Sequence, residues 1–173
     1  MKLWKYLFLL LMFPFFVQAE AKVNKDWFWD LSGSEYVYAA TINPEKRILG
    51  QYCYFKDNGC YYLVTLGITC ETGSEYPSIL NSDAGVEEVR LICGHKKDGE
   101  NVFFIKPFDK VDNLVKNAKT VGFAVAMNSS RFKVVRYSLS GSSYAIDKMR
   151  TGAEIINKSK PKTKKEVTSE QYL

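Results

Sequence analysis

Apolar residues along most of this chain fall into short β-branched and aromatic runs bounded by Gly, Asn, Asp, Ser or Pro, with little helical spacing. Seven runs predict strands: 35–42 (EYVYAATI), 49–55 (LGQYCYF), 60–69 (CYYLVTLGIT), 87–93 (EEVRLIC), 101–106 (NVFFIK), 120–127 (TVGFAVAM) and 131–139 (RFKVVRYSL). The third is apolar at both parities, which suits a central strand covered on both faces. The last places Phe132, Val134 and Arg136 on one face and Lys133, Val135 and Tyr137 on the other, without clean amphipathicity. Two segments change period. After Pro107, Asp109 can cap DKVDNLVKNAK, where Val111, Leu114, Val115 and Ala118 form a helical stripe that must lie on the sheet. Ser142 can cap a shorter helix over 142–150. The expected fold is mainly β, an antiparallel β-sandwich with one or two short helices, its sheet packed by a second sheet on one face and a helix at the other.

The N-terminus follows a different pattern. Lys2 and Lys5 precede an apolar run from Leu7 to Val17, broken by Pro14, and Val17-Gln18-Ala19 offers small residues for cleavage. The run is well short of the ~20 residues a spanning helix needs. Residues 1–19 therefore read as a secretory signal peptide, with Ala21 as the alternative cut, and the protein is expected to be periplasmic or secreted. The remainder, 20–157, has the length of one domain.

Charge alters the picture only after it is divided along the chain. Lys158, Lys160, Lys162, Lys164 and Lys165 stand against Glu166 and Glu170 in the tail; with these and the signal lysines set aside, 20–157 holds 17 basic and 17 acidic residues. A neutral domain argues against nucleic acid, whose binders cluster basic residues on a folded face. The tail 158–173 has too few large apolar residues to offset its ordering entropy and is expected to be disordered. It could touch an anionic membrane or an acidic partner.

Four cysteines, Cys53, Cys60, Cys70 and Cys93, in an exported chain imply two disulfides. Of three connectivities, Cys53–Cys60 with Cys70–Cys93 is favoured, because the first pair flanks the turn Lys56-Asp57-Asn58-Gly59. Chain entropy gives roughly 2.5 kcal/mol for the short loop and roughly 3.5 kcal/mol for the longer one. The spacings do not match structural zinc sites, so no metal is expected.

Little else points to chemistry. His95, in CGHKKDGE, is the single histidine, and no nucleophile or metal-protease motif accompanies it. Asp83, Glu87 and Glu88 could be imagined as a carboxylate site, but Asn81-Ser82-Asp83-Ala84-Gly85 reads as a hairpin loop. No phosphate-cradling glycine loop is present, and no cofactor is expected. Aromatics are in excess near the start of the domain. Trp27, Trp29, Tyr36, Tyr38, Tyr52, Tyr54, Tyr61 and Tyr62 crowd this stretch, and of these Trp27, Trp29, Tyr52 and Tyr54 are candidate binding residues, since rings that share an exposed sheet face stack on sugars or anchor protein interfaces; the competing reading, which strand composition favours, is core filling.

Several of these segments together carry a resemblance. An early cysteine pair, a strand ending Arg90-Leu91-Ile92-Cys93, the helical segment DKVDNLVKNAKT, the strand GFAVAM and the closing YSLSGSSYAIDKM resemble the invasion-associated locus B family of Gram-negative bacteria, best over 87–150. Cys53, Cys60 and Cys93 lie on that family's first three cysteines. Its fourth follows a few residues after the third, where this chain reads HKKDGENV, and Cys70 has no counterpart. The resemblance implies a periplasmic or surface-associated β-sandwich linked to host-cell invasion or colonisation, with no enzymatic residues to transfer. The expected function is a non-enzymatic binding or structural protein whose partner is a protein or cell-surface ligand. The alternatives are a hydrolase that brings His95 against Ser, Asp or Glu, and a carbohydrate-binding module with coplanar exposed rings.

Overall fold

The computed structural model describes residues 21–97, 99–127 and 131–159. The expected signal peptide and the tail from Lys160 onward lie outside these residues.

Among the described residues ten strands form one sheet: β1 (Lys22–Asn24), β2 (Trp27–Asp30), β3 (Tyr36–Ile42), β4 (Ile48–Tyr54), β5 (Cys60–Thr65), β6 (Glu75–Ser82), β7 (Gly85–Lys97), β8 (Glu100–Lys106), β9 (Thr120–Ala126) and β10 (Phe132–Ser138). Their order is β1-β2-β3-β4-β5-β8-β7-β6-β9-β10, and every neighbouring pair is antiparallel. The sheet folds over so that its far edge returns to its beginning without closing. Trp27 Nε1 donates to the Ser138 carbonyl at 3.0 Å, and Asn43 Nδ2 donates to the Arg136 carbonyl at 3.1 Å. The Tyr137 hydroxyl donates to the Thr65 carbonyl. The two layers of the sandwich are thus two halves of a single sheet.

Two helices, α1 (Phe108–Asn117) and α2 (Ser142–Ser159), complete the fold. α1 buries Val111, Leu114 and Val115 as its stripe required, but the residue at its N-cap is Pro107, not Asp109. Asp109 sits in the first turn, where its charge favours the helix dipole. Ser142 also has another role than the cap expected of it. Its hydroxyl donates to the Val115 carbonyl at 2.6 Å and that of Ser143 to the Lys116 carbonyl at 2.7 Å, so α2 satisfies the C-terminal carbonyls of α1. α2 runs nine residues past the expected end at Arg150. Gly152 lies inside the helix at a close contact: a Cβ there would come within 2.6 Å of Leu31. Lys158 and Ser159 are the last two residues of α2.

Three strands were not legible in the sequence. β1 and β2 are too short to show a period. β6 contains Pro77, which normally argues against a strand flanked on both sides. Here Pro77 stands opposite Arg90 in a non-hydrogen-bonded position of the β6–β7 ladder, while pairing with β9 starts only at Ser78. Its missing N–H therefore costs no ladder bond. The continuous core includes Trp27, Tyr62, Leu80, Phe103, Phe123, Tyr137, Ile146 and Met149, each fully buried.

Candidate functional site

Strand alternation sends odd and even residues of β3 and β4 to opposite faces. Val37, Ala39, Gln51 and Cys53 turn into the core, and Tyr36, Tyr38, Tyr52 and Tyr54 turn outward. In register, Tyr36 faces Tyr54 and Tyr38 faces Tyr52, so the four rings form a cross-strand block. Phe28 of β2 adjoins it through Tyr38, with centroids 5.9 Å apart. On the other flank, Tyr54 meets Tyr61 at 6.0 Å, and Tyr61 meets Phe104 at 6.0 Å. Seven rings thus run across β2, β3, β4, β5 and β8 on the face away from the core.

The rings do not lie flat. Tyr38 and Tyr52 stack on each other at 5.3 Å with an interplanar angle of 17°, while Tyr36 is tilted 56° to Tyr52 and 51° to Tyr54. The block therefore presents ring edges and hydroxyls rather than one coplanar platform. Among the described residues, the hydroxyls of Tyr36, Tyr38, Tyr52 and Tyr54 make no side-chain hydrogen bond. Burial raises the pKa of Tyr52, and its three tyrosine neighbours raise it further. Tyr38 is raised by burial and by Asp30, and Tyr54 by burial, Tyr36, Asp57 and Glu35. Tyr38, Tyr52 and Tyr54 therefore remain neutral phenols at physiological pH.

Beside the block a shallow groove of about 110 Å³ runs over Leu63 and Val102, walled by Tyr52, Tyr54, His95 and Lys97. His95 arrives there because β7 extends through Lys97, beyond a register shift between Cys93 and Lys96; the segment expected to be a loop is strand. Gly94 makes room for this, since a Cβ would meet the Phe104 ring at 2.9 Å. The groove's described lining contains Thr65 and tyrosine hydroxyls but no carboxylate or cysteine near His95.

The four candidate aromatics are divided by the fold. Tyr52 and Tyr54 belong to the outer face, whereas Trp27 and Trp29 are buried in the core, Trp27 with its indole N–H committed to Ser138. Tyr36, Tyr38 and Tyr61, noted in the sequence among the eight crowded aromatics but not among the four candidates, join Tyr52 and Tyr54 on this face. The signal was present in the i, i+2 spacing of YVY and YCY, which places each pair on one face.

The imagined carboxylate site is not assembled. Asp83 Oδ1 accepts the backbone N–H groups of Lys119 and Thr120 at 2.8 and 3.0 Å, which lowers its pKa. Glu87 pairs with Lys110 at 3.1 Å, and Glu88 is exposed. A different polar cluster lies where β4 and β5 meet the helices. Asp112 accepts from the Tyr62 hydroxyl at 2.7 Å and from Arg150, whose Nε donates to Gln51 Oε1 at 2.6 Å. Burial alone would raise the pKa of Asp112, but the hydrogen bonds from Arg150 and Tyr62 and the charges of Arg150 and Lys116 together lower it. Burial and Asp112 raise that of Tyr62. This cluster fastens the helices to the sheet.

Both disulfides have the favoured pairing, Cys53–Cys60 and Cys70–Cys93, and no described cysteine is free. Among the described residues no group of three or more His, Cys, Asp or Glu could hold a metal ion, and no helix is long and apolar enough to cross a membrane.

No protein-family model and no curated protein matches the chain. Among solved structures it is similar to invasion associated protein B from Bartonella henselae, at 12% identity and a TM-score of 0.56, over 76% of this chain and 96% of that one. At that identity the likeness is one of fold, a distant structural relation.

Proposed function

We propose that this chain is an exported, non-enzymatic protein that binds a protein or cell-surface ligand through its tyrosine face and so contributes to host-cell invasion or colonisation. One observation carries the reading: a contiguous row of seven rings stands outside a core that does not need them. Tyrosine supplies large amphipathic contact area at low conformational-entropy cost, and for that reason it is enriched in recognition surfaces. The signal-like N-terminus and the two disulfides fit a periplasmic or secreted location. The fold shared with invasion associated protein B supports the biological setting.

Ring geometry favours a protein over a sugar as the ligand. A carbohydrate-binding face offers flat, coplanar rings, whereas the closest pair here turns its faces to each other. The hydrolase alternative loses support because, among the described residues lining the groove, no carboxylate or cysteine accompanies His95. Tail lysines beyond α2 add a salt-sensitive contact with anionic membranes in this reading.

The test is binding of fluorescent protein to host-cell surfaces. Tyr36→Ser with Tyr54→Ser should abolish most binding while lowering stability by only about 1–2 kcal/mol, so that the variant stays folded and a cooperative melting transition is retained. Undiminished binding by that double variant overturns the reading. Truncation after Ser159, which keeps α2 whole, should weaken only the low-salt component on anionic vesicles.

A further inference from the structure

We infer that the tyrosine face takes an arginine-bearing segment of a protein partner, with the guanidinium seated at the end rimmed by Asp30, Glu35 and Asp57. The inference rests on the proposed binding role of this face and adds the chemistry of what binds there.

The face is electrically lopsided. At one end Asp30 stands directly opposite Tyr38 in the β2–β3 register, Glu35 immediately precedes Tyr36, and Asp57 accepts from the Tyr61 hydroxyl at 2.8 Å. At the other end His95 and Lys97 wall the groove. A partner segment is therefore oriented, with its cation at the carboxylate end. The three carboxylates are not equally free. Asp57 also accepts the Gly59 N–H at 2.9 Å and has Lys56 beside it, and one oxygen of Asp30 accepts from both the backbone and the hydroxyl of Ser32. Glu35 has no side-chain partner among the described residues and is exposed. Glu35 and the second oxygen of Asp30 thus carry most of the attraction.

Arginine fits this end better than lysine. Its planar guanidinium carries five donors and no acceptor, and it stacks on aromatic rings while pairing with carboxylates. The site offers the complement: carboxylate oxygens, phenol oxygens and the half-buried, tilted ring of Tyr36, which also lines the groove. A cation over a tyrosine face within about 6 Å is attracted by the ring quadrupole, and lysine's strongly hydrated ammonium gains less from a wet, half-open surface.

The experiment uses full-length processed protein and three peptides that differ at one residue type: Ac-Gly-Arg-Gly-Arg-Gly-NH2 and its lysine and citrulline counterparts. Binding is followed by NMR chemical-shift mapping. Citrulline keeps the shape of arginine and removes its charge. The arginine peptide should shift resonances of Tyr36, Tyr38, Tyr54 and Glu35. The lysine peptide should bind several-fold more weakly and the citrulline peptide about tenfold more weakly. Glu35→Gln with Asp30→Asn, checked for an unchanged melting transition, should reduce arginine-peptide binding about tenfold. Equal binding of the arginine and citrulline peptides, an unaffected carboxylate variant, or shifts confined to other faces would each overturn the inference. If the tyrosine double variant loses cell-surface binding while the carboxylate variant retains it, the binding role stands and the arginine preference falls. If neither variant changes cell binding, both fall.

Discussion

The two halves of the folded sheet use their inner and outer faces in opposite ways. In β9 the large residues Val121, Phe123 and Val125 turn into the core, and Gly122 and Ala124 turn outward. In β3 and β4 the core receives Val37, Ala39, Thr41, Leu49, Gln51 and Cys53, and the outer side receives four half-buried tyrosines. The usual driving force places the largest apolar surface inside. Where the largest rings of two strands lie on the outer side instead, packing of the core does not account for them, and in the proposed reading interaction with a partner does. The inner side of that half is filled instead by α2, which brings Ala145, Ile146, Met149 and Ala153.

Substitution should separate the two halves most clearly at Phe123. Phe123→Ala leaves a cavity between the layers and is expected to cost about 3–5 kcal/mol in urea unfolding. The outer-face change Tyr36→Ala should cost about 1 kcal/mol. Similar losses at the two positions would show that the tyrosine block is a second core rather than a binding face.

Next in size are the disulfides, which staple the two regions separately. Cys70→Ser with Cys93→Ser opens the loop of sequence separation 23 and should cost roughly 3.5 kcal/mol. Cys53→Ser with Cys60→Ser, beside the tyrosine face, should cost roughly 2.5 kcal/mol. The order should be evident in thermal melts.

The Asp112 cluster sharpens the comparison through pH. Because the folded-state pKa of Asp112 is lowered, the group contributes stability above its unfolded value of about 3.9 and loses it as pH falls through the folded value. Asp112→Asn should flatten the stability profile below about pH 4. Arg150→Ala, which strands the Asp112 carboxylate and Gln51, should cost about 2–3 kcal/mol at neutral pH, below the range for fully buried pairs because both side chains keep solvent contact.

The smallest effect is expected at His95. His95→Ala should change stability by no more than about 0.5 kcal/mol, and it should leave cell-surface binding through the carboxylate end intact. A turnover activity that disappears in this variant would remove the non-enzymatic reading of the groove.

Local patterning carried much of this protein. β-branched and aromatic runs located β3, β4, β5, β7, β8, β9 and β10, a single apolar stripe located α1, and the turn Lys56-Asp57-Asn58-Gly59 selected the pairing of Cys53 with Cys60. These features are decided by residues near one another in the chain, so a sequence displays them. β6 was hidden because the tolerance of Pro77 depends on where β9 begins pairing, a fact of long-range register. The end of α2 was hidden because Gly152 packs against a distant leucine. The same reason governs the site. Trp27 and Tyr52 are both aromatic residues in strands, and nothing local distinguishes them; the folding of one sheet upon itself, together with α2, buries the first and leaves the second half-buried among six other rings on the outer face.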